Sequence, residues 1–346
     1  MPESPKQTLF RYIYGNWFTM VVFVYAELGI ADYIRDGAVT TDTLARKTDS
    51  DLQALARVLD CARVLDLHTV NTKGELRLTP TGQLLRSDVP ASLRAAARLN
   101  GVDFRYHPWG ELLAYVRTGS GQGLSPTWEH GTIPYLHGKP DSLEMFEAAM
   151  SQLAMLADED RIIAELLDWG RFPAIVDIGS GNGTLLEAIL VTHPDICGTL
   201  FDVPEVIGKL PQRNPSDPSH SRLQTISGNF FEQIPDGFDA YLMKNIIHNH
   251  PETRCLQILR NIANSMVGRD ARLFLFEFAR QKYDTTGALG CFTDLNLNLL
   301  VGGSVRSTDA YRTLLNDAGL QLISVTNVPG SERVILESTV SSAVSL

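Results

Sequence analysis

Hydrophobic and polar positions follow two different periods along this chain, and the change falls near Gly170. Before it, apolar residues recur at the three-to-four spacing of helices facing a core. TLFRYIYGNWFTMVVFVYAELGIADYI carries a long apolar face, with Gly15 as a point of interruption and Gly29 as the stop of the first packed helix. Thr40–Thr41 precedes a helix over TDTLARKT, and DLQALARVLDCARVLDL repeats Leu and Val at helical spacing. A polar turn at Asn71–Gly74 leads into ELRLTPTGQLL, which alternates briefly like a strand before another helix begins. The stretch Gly119–Pro140, rich in Gly, Pro, His and aromatic residues, predicts a substrate-lining connection or an irregular surface loop. DSLEMFEAAMSQLAMLADEDRIIAELLDW then predicts helix bridging the two halves.

After Gly170, short apolar runs alternate with helical segments. AIVDIG, CGTLFDV, LQTISG, FDAYLMKN and RLFLFEF predict strands, separated by helices such as GTLLEAILVTH and ETRCLQILRNIANSM. LQLISVTNV and ERVILEST complete the far edge. This alternation predicts an α/β domain with a mostly parallel sheet covered on both faces. The N-terminal helices and small hairpin are the parts of a winged-helix unit. The resulting division is 1–105 for a helical dimerisation domain, 106–169 for a linker and substrate-lining segment, and 170–341 for the ligand-binding domain.

Charge narrows the partners. A net charge of −10 argues against nucleic acid or an anionic membrane. The winged-helix recognition segment, Asp51–Leu67, holds only Arg57 and Arg63 against three acidic residues, a poor balance for phosphate contacts. Its apolar first helix is expected to bury its face against a second subunit, giving a homodimer. Cys61, Cys197, Cys255 and Cys291 lie far apart and form neither a metal pair nor a disulfide framework. They read as reduced core thiols of a cytoplasmic protein. The N-terminus lacks the pattern of a signal peptide, and Met20–Tyr25 is too short to span a bilayer.

The chemistry starts at VDIGSGNGTLLEAI. Gly179, Gly181 and Gly183 follow a strand and open a helix, so the backbone can turn tightly and approach a ligand closely. A nicotinamide dinucleotide uses a related turn, and Asp202 at the end of the next strand suits a ribose in either case. Asp177, immediately before the turn, suits the ammonium group of an amino-acid cofactor better than a pyrophosphate.

Taken with AELGIADYI, LTPTGQLLRSDVPASLR, FDVPEVI and GNFFEQIPDGFDAYLMKNIIHNH, the chain resembles the S-adenosylmethionine-dependent small-molecule O-methyltransferases of plant phenolic and bacterial polyketide metabolism. A pair of glycines followed by an AGL segment extends the resemblance over nearly the whole length. The resemblance implies a Rossmann-like catalytic domain and an aromatic or polycyclic secondary metabolite as substrate. It implies that Gly179 and Gly181 meet the methionine part of the cofactor, and that Asp202 with its neighbour Val203 meets the ribose. Asn229 and Phe230 meet the adenine, Asn229 standing where the family has Asp, and Lys244 lies near the methionine end. Tyr106, His107, Trp109, Phe146 and Met150 are pocket candidates from the helical half; Asn296 and Asn298 add polar ones, while Asp294 reads as a helix cap.

His248 follows a buried-looking strand, where α/β sheets present side chains to a ligand crevice. A neutral imidazole there can take the proton of a hydroxyl that attacks a methyl sulfonium. The resemblance places the base at His248 and an orienting acid at Glu277. The His248/His250 pair has no clear third ligand, so no metal is expected. Three positions depart from the family pattern: Asn249 replaces an acid, His250 a tryptophan, and Val305 a second orienting acid. Asn249 and Val305 therefore read as substrate contacts. Carbon or nitrogen methylation, non-methylating chemistry on the same fold, and a ligand-binding assembly or regulatory protein without turnover stay open beside O-methylation.

Overall fold

The computed structural model describes residues 4–35, 37, 39–90, 92–128, 131–136, 138–155, 159–210, 217–280 and 288–341. The chain forms two compact units, Met1–Gly110 with Leu136–Leu156, and Glu111–Tyr135 with Ala157–Leu346.

In the first unit the apolar N-terminal stretch is two helices, Pro5–Ile13 and Gly15–Glu27. Ser4 caps the first with Pro5 behind it, and Gln7 closes a capping box on Ser4. Gly29, at φ +63°, ends the second helix in the left-handed region that suits glycine. Thr40 and Asp51 cap the helices Thr41–Lys47 and Leu52–Val64. A small antiparallel sheet of β1 (Val39–Thr40), β2 (His68–Val70) and β3 (Glu75–Leu78), in the order β1-β3-β2, forms the wing. Tyr25, Ile30, Leu44, Leu55, Leu59 and Leu76 fill the core. Leu9, Phe10, Tyr12, Ile13 and Trp17 are more than half exposed, an apolar face without cover in the single chain.

The strands expected after Gly170 all form. They are β4 (Ala174–Ile178), β5 (Cys197–Asp202), β6 (Leu223–Ser227), β7 (Ala240–Lys244), β8 (Arg272–Phe278), β9 (Leu320–Asn327) and β10 (Arg333–Val340). They make a seven-stranded sheet ordered β6-β5-β4-β7-β8-β10-β9. The five strands from β6 to β8 run parallel, while β10 lies antiparallel between β8 and β9. The two-residue period assigns the faces. Val176, Ile178, Tyr241, Met243, Leu273 and Leu275 pack under the helices Glu252–Met266 and Thr308–Asp317. Ile175, Leu200, Leu242, Phe274 and Phe276 pack on the opposite face under the helices Glu159–Leu166 and Thr184–Thr192, around Trp169.

The thiols correct an expectation. Only Cys255 is buried, whereas Cys61, Cys197 and Cys291 are exposed. Cys61 shows why: Leu55, Leu59 and Ala62 take the core stripe of its helix, and Cys61 falls on the other side. Among the described residues, no helix is long and apolar enough to cross a membrane.

Candidate active site

The register of the parallel strands sorts the polar residues at their carboxyl ends. Asp177 is level with Leu200 on β5 and Leu242 on β7. Asp202 and Lys244 lie one two-residue step beyond those partners, so all three share one sheet face. Lys244 is level with Phe276 on β8, which puts the next residue, Glu277, on the opposite face. The sheet thereby separates a cofactor end from a histidine end.

At the cofactor end, Gly179, Gly181 and Gly183 have φ of +70°, +56° and +81°, conformations that favour glycine. The turn is tied to β5: the Gly179 N–H donates to the Phe201 carbonyl at 2.8 Å, and the Gly181 N–H donates to Asp202 Oδ2 at 2.9 Å. Asp202 Oδ1 also accepts from the Val203 N–H at 2.7 Å. A Cβ on Gly179 would stand 2.8 Å from Ile246 and 3.5 Å from Phe230, so the turn, the end of β7 and the GNFF loop converge there. A Cβ on Gly181 would meet nothing within 4 Å.

Asp177 is buried, and its carboxyl accepts no hydrogen bond from the described residues. Burial, reinforced by the negative charge of Asp160, pushes it up to about 7, against the pull of Lys244. Asp160 pairs with Lys244 and accepts from Thr184 Oγ1 at 2.6 Å. The sequence reading passed over Asp160, because ADEDR gives no sign which of its acids turns inward. Its neighbour Glu159 is taken up structurally, holding Ser331 at 2.5 Å and Arg333 at 2.6 Å.

These residues fit S-adenosylmethionine on two observations. Ser180 Oγ, inside the turn, is buried without a hydrogen-bond partner among the described residues, and the turn leaves space where the side chain of any other residue at Gly181 would project. Asp177 and Asp202 would hold the ammonium and ribose groups, with Lys244 and Asp160 beside them. The cofactor, when bound, supplies an electrophilic methyl group on sulfonium sulfur.

The loop after β6 is pinned from within. Asn229 Oδ1 accepts from the Phe231 N–H at 3.0 Å, and its amide donates to Glu232 at 3.0 Å. Asn261 and Gln257 donate to the carbonyls of Phe230 and Phe231. His250 stands edge-on to Phe231, with ring centroids 5.2 Å apart, and to Phe230 at 6.1 Å. Burial among these rings, with Arg254 adding positive charge, pushes His250 down to about 4, so it is neutral at pH 7.

At the histidine end, Lys244 is followed by Asn245 at φ +59° and then by a short 3-10 turn, Ile247–Asn249. Glu277, fully buried, binds this turn with both oxygens. Oε1 accepts the N–H groups of Ile246 at 3.2 Å and Ile247 at 2.8 Å, while Oε2 lies 2.5 Å from His248 Nδ1. With Nδ1–H donating to the carboxylate, Nε2 keeps a lone pair for a proton. One acid thus orients both the ring and the backbone that carries it.

The proposed substrate-side residues fall in different places. Asn249 donates to the Asn245 carbonyl at 2.6 Å, closing its own turn. Asn298 accepts from the Tyr115 hydroxyl at 2.5 Å and donates to the Gly303 carbonyl at 2.9 Å. Val305 is buried, and its N–H donates to Asp294 Oδ1 at 2.7 Å. Asp294 is therefore no helix cap: it lies inside the helix Ala288–Val301 and anchors the following segment. Tyr106 and Met150 lie in the first unit, on the helices Asp103–Gly110 and Pro140–Met155, and both are exposed.

Comparison with known proteins identifies the family. Residues 109–321 match the O-methyltransferase domain, and residues 10–88 match the O-methyltransferase dimerisation domain. The chain is 32% identical to the 3-amino-4-hydroxybenzoate 4-O-methyltransferase of Streptomyces cremeus, covering 95% of this chain and 88% of that one. It is 31% identical to aclacinomycin 10-hydroxylase RdmB of Streptomyces purpurascens, covering 90% and 83%. The structure of the mitomycin 7-O-methyltransferase MmcR superposes with a TM-score of 0.87 at 27% identity, over 97% and 98% of the two chains. A family match over most of the length, joined to a sheet that ends in Asp177, Asp202, Lys244 and Glu277, settles the assignment: this chain belongs to the S-adenosylmethionine-dependent O-methyltransferases.

Proposed function

We propose that this enzyme methylates a hydroxyl on an aromatic or polycyclic secondary metabolite, with His248 as general base and Glu277 as its orienting acid. The observation that carries this reading is the buried Glu277 carboxylate 2.5 Å from His248 Nδ1. The acceptor oxygen loses its proton to Nε2 as its lone pair forms the new bond to carbon. Bound S-adenosylmethionine would supply that carbon and take the carbon–sulfur bonding pair on its sulfur as the leaving group. Glu277 stabilises the imidazolium that results. Asp177, Gly179, Gly181, Asp202, Val203, Asn229, Phe230 and Lys244 form the cofactor site in this reading. Asn249, Asn298 and Val305 shape the acceptor side as framework, because their polar groups are engaged internally.

The protein works as a homodimer in the cytoplasm in this reading. The match to a dimerisation domain and the exposed face from Leu9 to Trp17 support the first point. The exposed free thiols of Cys61, Cys197 and Cys291 support the second.

The test is incubation with methyl-labelled S-adenosylmethionine and a panel of hydroxylated aromatic acids and quinones that includes 3-amino-4-hydroxybenzoate. Label on acceptor oxygen is expected, from a preparation whose light scattering gives twice the chain mass. A second reading rests on the hydroxylase among the relatives and on Val305, which leaves Glu277 as the one carboxylate on the imidazole among the described residues. It requires the acceptor to be consumed without gaining label, and that result overturns methyl transfer.

A further inference from the structure

Around the histidine turn, the N–H groups and the carbonyls are held by opposite charges. Glu277 takes the N–H groups of Ile246 and Ile247. On the carbonyl side, Arg306 Nη1 donates to Ile247 O at 3.1 Å and Nη2 donates to His250 O at 3.1 Å. One guanidinium therefore spans the residues on either side of His248 and Asn249. Its planar fork, with donors fixed relative to one another, suits two carbonyls at a set spacing, which a single ammonium cannot bridge in the same way. Cys255 Sγ reinforces the arrangement from the helix Glu252–Met266, lying 3.2 Å from Ile247 O and 3.3 Å from His250 O.

The segment that carries Arg306 is seated against the same turn. A Cβ on Gly303 would lie 2.1 Å from the His248 carbonyl oxygen and 2.9 Å from the Asn249 carbonyl carbon, so only glycine fits there. Asn298 and Asp294, both on the helix Ala288–Val301, hold Gly303 O and Val305 N. The Arg306 carbonyl accepts from the Arg280 N–H at 3.0 Å, just past the end of β8. Arg306 is thus fixed at its own backbone before its side chain reaches the turn.

We propose that Arg306 is a positioning residue for the reaction, holding the His248 turn from its carbonyl side so that the imidazole stays on Glu277 and its free nitrogen stays aimed at the acceptor. This rests on the reading of His248 as base. It also accounts for how the site works with Val305 where the family resemblance leads one to expect a second acid: the backbone clamp supplies orientation that a carboxylate would otherwise give to the ring.

The test uses the full chain with labelled histidine. The His248 imidazole N–H bonded to Glu277 gives a low-field proton signal, identified by its loss in His248→Asn. In Arg306→Ala this signal should move towards the free-imidazole position or broaden away. Turnover on the acceptor found by label incorporation should fall about a hundredfold, the effect of a displacement of about 1 Å, with the dissociation constant for S-adenosylmethionine within twofold of the native value. Added guanidinium ion should restore part of both. Arg306→Lys, which keeps the charge and loses the fork, should show the same changes at roughly a tenth of the size. A His248 signal unmoved in Arg306→Ala overturns the proposal. Should that variant fail to show a native melting transition, an unmoved signal in Arg306→Lys overturns it equally. A His248→Ala variant with native turnover would instead remove the base assignment, leaving the signal comparison to report position alone.

Discussion

The glycine turn and the histidine turn sit at neighbouring strand ends and are built in opposite ways. From Asp177 to Gly183 the turn is local: seven consecutive residues set its path, and its anchors on β5 are Phe201 and Asp202. Even there the Asp177 carboxyl is buried and accepts no hydrogen bond from the described residues, as suits a group that would meet a charged ligand. The histidine turn is assembled from distance. Its ring and N–H groups depend on Glu277, and its carbonyls on Cys255 and Arg306. The proposed cofactor turn is thus specified by a short segment, while the geometry around the proposed base is specified by three segments that only folding brings together.

The largest expected effect separates the two regions. His248→Ala should lower turnover by about 10²–10⁴, the usual worth of a general base, with cofactor affinity unchanged. Asp202→Ala should do the reverse, weakening cofactor binding measured by calorimetry while a saturating concentration recovers much of the turnover. Equal loss of both quantities in both variants would show that the two ends are not separable.

A smaller effect compares two glycines. In Gly303→Ala the new methyl meets backbone at 2.1 Å, so the histidine turn itself must move, and turnover should fall by at least tenfold, on the order of the cost of misplacing a catalytic group. In Gly179→Ala the obstruction at 2.8 Å is the tip of Ile246, which can rotate away, leaving the left-handed backbone as the main cost, about 1–2 kcal/mol. That cost should appear in cofactor affinity rather than in turnover at saturation. A larger effect on turnover from Gly179→Ala than from Gly303→Ala would contradict the division.

The smallest net effect comes from a pair of opposed pH dependences in the ligand-free protein. Asp177 is raised to about 7, so between about pH 4 and 7 the unfolded chain is ionised there while the folded chain holds its proton, and stability falls as pH rises. His250 is lowered to about 4, so between about 6.5 and 4 the unfolded chain takes a proton that the folded chain refuses, and stability falls as pH falls. Each contributes up to about 1.4 kcal/mol per pH unit, in opposite directions, and they offset one another. Denaturant melts from pH 4 to 7 should show Asp177→Asn gaining stability with pH relative to the native chain, and His250→Phe losing it. Parallel curves for all three proteins would rule out both contributions.

The uneven legibility of the site follows from the same contrast. Asp177, Gly179, Gly181, Asp202 and His248 could be singled out because each sits at the end of a hydrophobic run, and a run of that kind predicts a strand end. Asp160 could not, since nothing local distinguishes it from Glu159, yet one faces Lys244 and the other Arg333. Asn249, Asn298 and Asp294 show the same limit: an amide or a carboxylate in a chemically suggestive segment was spent on internal bonds. Cys61, Cys197 and Cys291 have apolar neighbours in sequence and are exposed, because such a neighbourhood does not say which side of the element a residue takes.

What the sequence determined by itself was the order of elements, the parallel sheet and the glycine turn proposed to meet the cofactor, because periodicity, strand-end position and left-handed glycines act over a few residues. What only the tertiary structure decided was the frame around His248, whose pairing with Glu277 the family resemblance implies. Period-two alternation put Glu277 on the face opposite Asp177 and Lys244, and the Gly303–Arg306 segment came to rest on the carbonyls around His248. A buried carboxylate and a guanidinium find their partners through space, and no spacing along the chain encodes that meeting.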